Sequence, residues 1–230
     1  MTDFVLVAGA WLGGWAWDDV VPVLREAGHG AHPLTLTGLA EKKGAPAGQQ
    51  THVRDIVDHV ERLELWDVVL VGHSYSGIPV GQAAERIGDR LRRVVFVDAN
   101  VPVDGMSFLA SFPSEHVRQA LAAHDGVWPP LGPEDYAGQE LTGPQIDRIV
   151  TEGTPHPGGT LTEPAVLNRP LGELPATYVK CLLDGPEPPP AVAALLSDER
   201  WESAELDTGH WPMFSRPREL AAVLLTAAGG

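Results

Sequence analysis

Residues 68–77 read Val-Val-Leu-Val-Gly-His-Ser-Tyr-Ser-Gly, an apolar run that ends in a turn of small residues around Ser74. The run predicts a buried strand of a parallel sheet, and the residues that follow it have the pattern of a helix. A serine at so tight a turn is held in a strained conformation that exposes its hydroxyl at the carboxyl edge of the sheet. Gly72 and Ser76 are small enough for this turn. We therefore predict that Ser74 is a nucleophile rather than only the N-cap of a helix.

The same alternation of strand and helix extends in both directions from this stretch. Short apolar runs alternate with helical periodicity in the N-terminal half, and strand runs and an amphipathic helix return near the C-terminus. The pattern predicts an α/β fold, with a mostly parallel central sheet and helices on both faces. The predicted strands are Phe4–Val7, His32–Leu36, Val68–Val71, Val94–Val97, Thr177–Leu183 and Trp201–Leu206, and the predicted helices start near Asp18, Thr51 and Ser76, with a last one that carries Leu220, Val223 and Leu224.

The regular alternation stops after Val101. From about residue 103 to residue 175 the sequence is rich in Pro, Gly and His and contains only short helical patterns. We predict one α/β domain over residues 1–230, interrupted by an inserted cap at approximately 103–175. Insertions at the carboxyl ends of strands commonly shape a substrate pocket.

Composition limits the classes of partner. The formal net charge is −15 at pH 7, and so acidic a surface repels phosphate backbones and anionic lipids, so neither nucleic acid nor a membrane is expected. The uncharged stretch 4–17 lacks a preceding basic segment and is rich in Gly and Trp, so we interpret it as a strand and a loop rather than a signal peptide. A cytoplasmic location and a small-molecule substrate are expected, while the oligomeric state is not predictable from the sequence.

Nothing in the sequence calls for a metal or an organic cofactor. Cys181 is the single cysteine, so neither an intramolecular disulfide nor a cysteine zinc site is expected. A lone cysteine in an apolar run is typical of a small core residue. His52 and His73 are interpreted as packing or loop-bracing residues, because they do not have the spacing of metal ligands.

A serine hydroxyl is a weak nucleophile until a base takes its proton. In chains with this kind of turn the base is a histidine after the last strand, in the order Ser, Asp, His. Residues 205–212 read Glu-Leu-Asp-Thr-Gly-His-Trp-Pro, and of the nine histidines only His210 has this position. We predict that His210 is the general base.

The histidine needs a carboxylate that fixes its tautomer and stabilises the imidazolium. Asp184 is the first candidate, because it ends the fifth strand run and begins an Asp-Gly-Pro turn. Its alternative interpretation is an ordinary turn residue. Asp98, at the end of the fourth strand, is the second candidate, and Asp207 is too close in sequence to His210 to serve.

Hydrolysis of an ester also needs donors for the oxyanion. One is expected to be the backbone N–H of Tyr75, which follows the nucleophile, and the other that of Ala10, in the loop after the first strand. Because these are backbone groups, side-chain substitution does not remove them.

These segments together resemble the bacterial branch of the α/β-hydrolases that is related to plant salicylate-methylester esterases and hydroxynitrile lyases. The resemblance covers almost the whole chain outside the cap. It implies that Ser74, Asp184 and His210 form a catalytic triad, and that Asp98 is a strand-end aspartate common in this branch. The matching segments are 4–17, Leu36–Leu39, Thr51–Val53, Gly72–Gly77, Val97–Ala99, Cys181–Asp184 and Asp207–Met213.

The chain departs from this family at two positions. Ala8 stands where relatives have a histidine that braces the oxyanion loop, and Ser76 stands where most have glycine. The change at Ala8 leaves three alternatives open: a weak esterase, an altered reaction, or a different brace. The lyases carry a threonine and a lysine at the positions of Gly9 and Trp211, so cyanohydrin cleavage is not expected, and Ser74 argues against hydrolases with an aspartate nucleophile.

Seven tryptophans occur in the chain, and Trp11 and Trp211 are predicted to flank the catalytic centre and to contact substrate. Aromatic side chains provide a large apolar area for a hydrophobic or flat substrate group. We therefore predict a serine hydrolase for a small to medium hydrophobic or aromatic carboxylic ester. The alternatives are a tailoring hydrolase for a lactone or thioester, and a ligand-binding protein with little turnover. The cap contributes Phe108, Phe112, Trp128 and Tyr136 as further aromatic candidates.

Overall fold

The apolar runs form one six-stranded sheet in a computed structural model, which describes residues 1–229. Every neighbouring pair of strands in this sheet is parallel, and the strand order is β2-β1-β3-β4-β7-β8. The α/β class predicted from the sequence is confirmed. The sheet strands are β1 Asp3–Val7, β2 Gly30–Leu34, β3 Val68–His73, β4 Leu91–Val97, β7 Ala176–Cys181 and β8 Trp201–Leu206; the short strands β5 and β6 lie outside it.

Helices cover both faces of the sheet, because side chains along each buried strand alternate between two apolar cores. Phe4 and Leu6 of β1 belong to the core under α1 and α10, while Val5 and Val7 belong to the core under α2 and α3. All four side chains are fully buried. The helices of these layers are α1 Val21–Glu26, α2 Gln49–Arg62, α3 Gly77–Ile87 and α10 Pro217–Gly229.

Residues 103–175, called the cap segment below, lie between β4 and β7 in the chain. They form short elements, of which β5 and β6 pair antiparallel, with Trp128 opposite His156. Between β7 and the terminal helix, α8 Pro190–Leu195 and α9 Pro212–Ser215 flank β8. The elements of the cap segment are α4 Phe108–Ser111, α5 Glu115–Ala123, β5 Val127–Trp128, α6 Gly143–Glu152, β6 His156–Pro157 and α7 Gly159–Thr162.

Several element boundaries differ from the sequence prediction by a few residues; the fifth sheet strand, for example, was expected at Thr177–Leu183 and is Ala176–Cys181. The second strand was expected at His32–Leu36 but is Gly30–Leu34. It lies at the sheet edge, where Pro33 is tolerated because its missing N–H costs no ladder bond on the open side. The first helix begins at Val21, not near Asp18, because Pro22 is favoured in the first turn of a helix.

No helix within residues 1–229 combines the length and the apolar character that a membrane crossing requires.

Candidate active site

Ser74 follows β3 directly and has a φ of 55°, in the left-handed region that non-glycine residues seldom occupy. Its carbonyl oxygen accepts a hydrogen bond from the Asn100 N–H at 3.0 Å. Ser76 donates its buried hydroxyl to the carbonyl of Val7 at 2.7 Å and to that of His73 at 2.9 Å. These bonds hold the strained turn against β1 and against the chain after β4.

Gly77 explains why the turn needs small residues on its helix side. A Cβ added there would come within 2.8 Å of the Cβ of Ala99 and would overlap the carbonyl oxygen of Asn100. At Gly72, an added Cβ would lie 3.0 Å from the Cα of Gly77. The close approach of α3 to the chain after β4 therefore depends on these glycines.

His210 lies in the loop between β8 and α9, and its Nε2 is 2.9 Å from the Ser74 Oγ. Its Nδ1 lies 2.7 Å from the Oδ2 of Asp98. A carboxylate only accepts, so the Nδ1 carries the proton and the Nε2 is free to accept from the Ser74 hydroxyl. This is the arrangement in which an imidazole can take a proton from a serine.

Both candidate carboxylates reach His210, but they do so differently. The Oδ2 of Asp184 is 3.5 Å from the Nδ1, compared with 2.7 Å for Asp98. The side chain of Asp98 is 7% exposed and that of Asp184 is 30% exposed. The nearer and better buried carboxylate is therefore that of Asp98, whereas the sequence placed Asp184 first.

Asp98 also forms an ion pair with Lys180, whose Nζ is 2.8 Å from its Oδ1. The Cys181 N–H donates to the same oxygen at 3.4 Å. Burial alone would raise the pKa of the Asp98 carboxyl, but the hydrogen bonds and charges of His210 and Lys180 outweigh it and hold that pKa well below its usual range. Asp98 is therefore an anion at neutral pH.

Gln139 of the cap segment joins the second carboxylate to the histidine loop. Its Oε1 accepts from the His210 N–H at 2.6 Å, and its Nε2 donates to the Oδ1 of Asp184 at 3.0 Å. An added Cβ at Gly209 would overlap this side chain. Gln139 is not among the residues predicted from the sequence, because a glutamine between short elements carries no local signal of a role.

His73 braces the loop after β1, which contains Ala8. The Gly9 N–H donates to its Nδ1 at 3.3 Å, and its Nε2 donates to the His210 carbonyl at 2.7 Å. Burial and then the nearby charge of His210 lower the pKa of His73 to about 3, so this imidazole is neutral and its Nδ1 can accept. The oxyanion loop is therefore braced through Gly9, although position 8 is an alanine.

His52 is likewise buried and bonded. Its Nε2 donates to the Thr37 carbonyl at 2.8 Å, which leaves its Nδ1 to accept from the Tyr75 hydroxyl at 2.9 Å. His52 therefore ties α2 to the residue that follows the nucleophile.

The predicted site residues all line one cavity of about 690 Å³, whose exposed lining is largely apolar. Trp11 and Trp128 are in ring contact, with centroids 4.2 Å apart, and Phe108 packs beside Trp128. Tyr136 instead packs behind Trp211, with ring centroids 4.7 Å apart. The lining includes Ser74, His210, Asp98 and Asp184, with Ala10 and Tyr75, and the apolar side chains of Trp11, Phe108, Phe112, Trp128, Leu131 and Trp211.

Asp98, Asp184 and His210 are also the group of side chains whose ligand atoms lie close enough together, within 4.8 Å, to hold a metal ion. However, both nitrogens of His210 already face Asp98 and Ser74, and the Lys180 ammonium at 2.8 Å from Asp98 repels a cation. These contacts fit a proton relay better than a metal site.

Comparison with known proteins places the chain in a family. Residues 4–223 match the model described as "Alpha/beta hydrolase family". The carbendazim hydrolyzing esterase of Nocardioides sp. (strain SG-4G) is 34% identical over 97% of this chain and 98% of its own length. Methyl jasmonate esterase 1 of Vitis vinifera is 28% identical over 96% and 94% of the two chains.

Among solved structures, an extracellular alpha/beta-hydrolase from a Paenibacillus species superposes with a TM-score of 0.86. It is 23% identical, and the match covers 99% of this chain and 98% of that one. That protein is described as sharing structural and functional homology with tobacco salicylic acid binding protein 2. At this identity the likeness establishes the fold.

Proposed function

We propose, since this chain belongs to the alpha/beta hydrolase family, that it hydrolyses a small to medium hydrophobic or aromatic carboxylic ester through an acyl-enzyme. The observation that carries the proposal is the 2.9 Å contact between the His210 Nε2 and the Ser74 Oγ at the floor of an aromatic cavity. The prediction of a carboxylic-ester hydrolase is confirmed at the level of the reaction class, because family and relatives agree on it.

In acylation, His210 takes the Ser74 proton as the Oγ attacks the ester carbonyl. The backbone N–H groups of Ala10 and Tyr75 bind the oxyanion that develops, and each such donor contributes about 100- to 1,000-fold in rate. His210 then returns its proton to the leaving alcohol. Water attacks the acyl-enzyme by the same route in reverse, with His210 again as the base.

The imidazolium that forms in both steps needs a negative partner. Asp98 supplies it at 2.7 Å, with its charge kept by Lys180, and Asp184 adds a second carboxylate at 3.5 Å. We assign the direct partner of His210 to Asp98 and a supporting role to Asp184. This assignment reverses the order of preference that the sequence suggests.

The shape and charge of the cavity support the choice of substrate. Trp11, Trp128 and Phe108 form an apolar wall for an acyl or aromatic group, and Trp211 lies against His210 with ring centroids 5.1 Å apart. Asp184 and Glu187 line the same cavity, so a substrate with a free carboxylate is disfavoured.

A second candidate substrate is a carbamate ester, because the Nocardioides relative is named for carbendazim hydrolysis and matches nearly the whole chain. The same nucleophile and oxyanion donors serve carbamates, lactones and thioesters. The one feature that favours a ligand-binding protein is Ala8, and this alternative is weakened because His73 holds the oxyanion loop through Gly9. A cytoplasmic location remains part of the proposal, although the Paenibacillus structure is of an extracellular protein.

A fluorophosphonate probe tests the nucleophile, with the adduct located by mass spectrometry. We expect one adduct, on Ser74, that is absent in Ser74→Ala and retained in Ser197→Ala, a control at an exposed serine outside the cavity. A panel of acetate, hexanoate and benzoate esters, carbendazim, a lactone and a thioester then ranks the substrates. A folded wild-type protein without an adduct would overturn the proposal in favour of ligand binding.

A further inference from the structure

Trp11 occupies a backbone conformation that its own side chain does not favour. Its φ is 67°, in the left-handed region, which is costly for a bulky residue unless its surroundings hold it there. Trp11 directly follows Ala10, the proposed oxyanion donor, so the conformation of Trp11 sets the direction of the adjoining peptide units. What holds Trp11 therefore also orients the oxyanion loop.

The cap segment forms four hydrogen bonds with Trp11. The Thr154 N–H donates to the Trp11 carbonyl at 2.9 Å, and the Trp11 indole N–H donates to the Trp128 carbonyl at 3.1 Å. The Trp11 backbone N–H donates to the Nδ1 of His156 at 3.4 Å. The Thr154 hydroxyl also donates to the Trp11 carbonyl, at 3.4 Å. Two of the four bonds therefore depend on a cap side chain, and of these the bond to His156 is the one that holds the Trp11 backbone N–H.

The surroundings of His156 determine which of its nitrogens carries the proton. The Thr160 hydroxyl donates its single proton to the Pro157 carbonyl at 2.7 Å, so it must accept in its 2.8 Å contact with the Nε2 of His156. The Nε2 therefore carries the proton and the Nδ1 presents a lone pair to Trp11. Full burial of His156, with His52 nearby, lowers its pKa well below the ordinary value and keeps the ring neutral.

We propose that His156 is a positioning residue for the oxyanion hole. Its Nδ1 accepts from the Trp11 N–H and thereby fixes the direction of the neighbouring Ala10 N–H. Together with His73, which accepts from Gly9, it places an imidazole acceptor on each side of Ala10. The cap segment thus contributes to the rate of the chemical step as well as to the pocket. This inference rests on the proposed function, because it needs an oxyanion to act on.

Two substitutions at His156 separate its two hydrogen bonds. In His156→Asn, the amide oxygen replaces the Nδ1 and still accepts from Trp11, whereas in His156→Gln the amide nitrogen replaces the Nε2 and retains only the bond to Thr160. Thr160→Val removes the group that fixes the tautomer. Thr162→Val is the matched control, because this exposed hydroxyl bonds only to the carbonyls of Gly158 and Gly159.

The readouts are kcat and KM for p-nitrophenyl acetate and the second-order rate constant for the fluorophosphonate. We expect His156→Gln and Thr160→Val to lower kcat and the labelling rate by about 10- to 100-fold with KM little changed, because an oxyanion donor as a whole is worth about 100- to 1,000-fold. His156→Asn should keep kcat and the labelling rate within about fivefold of the wild-type values, and Thr162→Val should have the wild-type values.

Circular dichroism and thermal unfolding establish whether each variant is folded. If His156→Gln does not fold, the comparison of His156→Asn with Thr160→Val still tests the proposal. Equal losses in His156→Asn and His156→Gln, or a rise in KM at constant kcat, would overturn it. Wild-type labelling rates in all the folded variants would overturn it too, while leaving the proposed function intact. A wild-type protein that does not label would instead contradict the proposed function.

Discussion

The Oδ2 of Asp98 lies 2.7 Å from the Nδ1 of His210. Asp98 directly follows β4, and Asp184 lies after the neighbouring strand β7, so both carboxylates reach the same edge of the sheet. The difference is in what surrounds them: Asp98 is buried against the Lys180 ammonium, and Asp184 is partly exposed against the amide of Gln139. Replacing each carboxylate in turn therefore distinguishes which of them supports His210.

We expect Asp98→Asn to lower kcat by about 1,000- to 10,000-fold with little change in KM. An asparagine cannot stabilise the imidazolium and favours the wrong tautomer of His210. Asp184→Asn should cost about 10-fold, because its contact with the imidazole is longer and more exposed. Asp207→Asn is the control, and steady-state kinetics with p-nitrophenyl acetate measure all three.

Asp98→Asn also leaves the buried Lys180 ammonium without its counter-charge, so the free energy of unfolding of this variant must be measured alongside. Lys180→Met provides the comparison, because it alters the ion pair but leaves the carboxylate beside His210. If Asp184→Asn proves more damaging to kcat than Asp98→Asn, the assignment reverts to Asp184, as the resemblance to known hydrolases implies.

Gln139 gives a second prediction, about the connection between the cap segment and the histidine loop. Gln139→Glu keeps an acceptor for the His210 N–H but replaces the donor to Asp184 with a second negative charge. We expect kcat to fall about 10-fold or more, because a small displacement of a catalytic group is costly. Gln139→Ala should have a similar effect, and Gln119→Ala, on an exposed face of the cap segment, should have none. An unchanged kcat in both Gln139 variants would show that the loop keeps its position without the cap segment.

The sequence predicts best what is local. The strand, turn and helix around Ser74 follow from adjacent residues, and the observed β3 and α3 begin or end within two residues of the predicted bounds. The continuous apolar run Phe4–Val7 likewise predicts a buried strand, and all four side chains are buried in β1. Such features depend on the chain's near neighbours, which the sequence displays directly.

The relation between Asp98, Asp184 and His210 is not local. Each aspartate is placed by a different strand end, and small differences in loop conformation decide which of the two approaches the imidazole. The roles of Gln139 and His156 were missed for the same reason, since the cap segment contacts the sheet edge through short loops without periodicity. Distances of this kind depend on how the whole chain folds and not on neighbouring residues in the sequence.

The apolar wall formed by Trp11, Trp128 and Phe108 gives a third prediction. Trp128→Ala removes a ring that contacts both Trp11 and Phe108 and lines the cavity. We expect kcat/KM for a hexanoate or benzoate ester to fall about 10-fold or more relative to an acetate ester, because a hydrophobic pocket discriminates by about 1 to 3 kcal/mol per methylene group. Trp66→Ala is the matched control, because Trp66 is 57% exposed and lies outside the cavity. Parallel losses for all three esters would indicate that the ring supports the fold and not the substrate.

The buried histidines give a fourth prediction, for stability against pH. Burial lowers the pKa of His73 from 6.5 to about 3, so between these values the unfolded chain binds a proton that the folded chain does not. The free energy of unfolding therefore falls as the pH decreases from 7 to 5, by up to about 1.4 kcal/mol per pH unit for such a residue. The pKa values of His52 and His156 are lowered by burial too and act in the same direction.

Urea unfolding at pH 7 and pH 5 measures this dependence. The low pKa of Asp98 has the same sign but acts below about pH 4, where carboxylates of the unfolded chain titrate, so it does not contribute in this window. His73→Gln should be less stable than wild type at pH 7 but lose less stability on acidification, because it no longer carries the group that titrates. His116→Gln, at an exposed histidine, should retain the wild-type dependence. If His73→Gln and wild type lose the same free energy between pH 7 and pH 5, His73 is not the neutral buried acceptor that the bond to Gly9 requires.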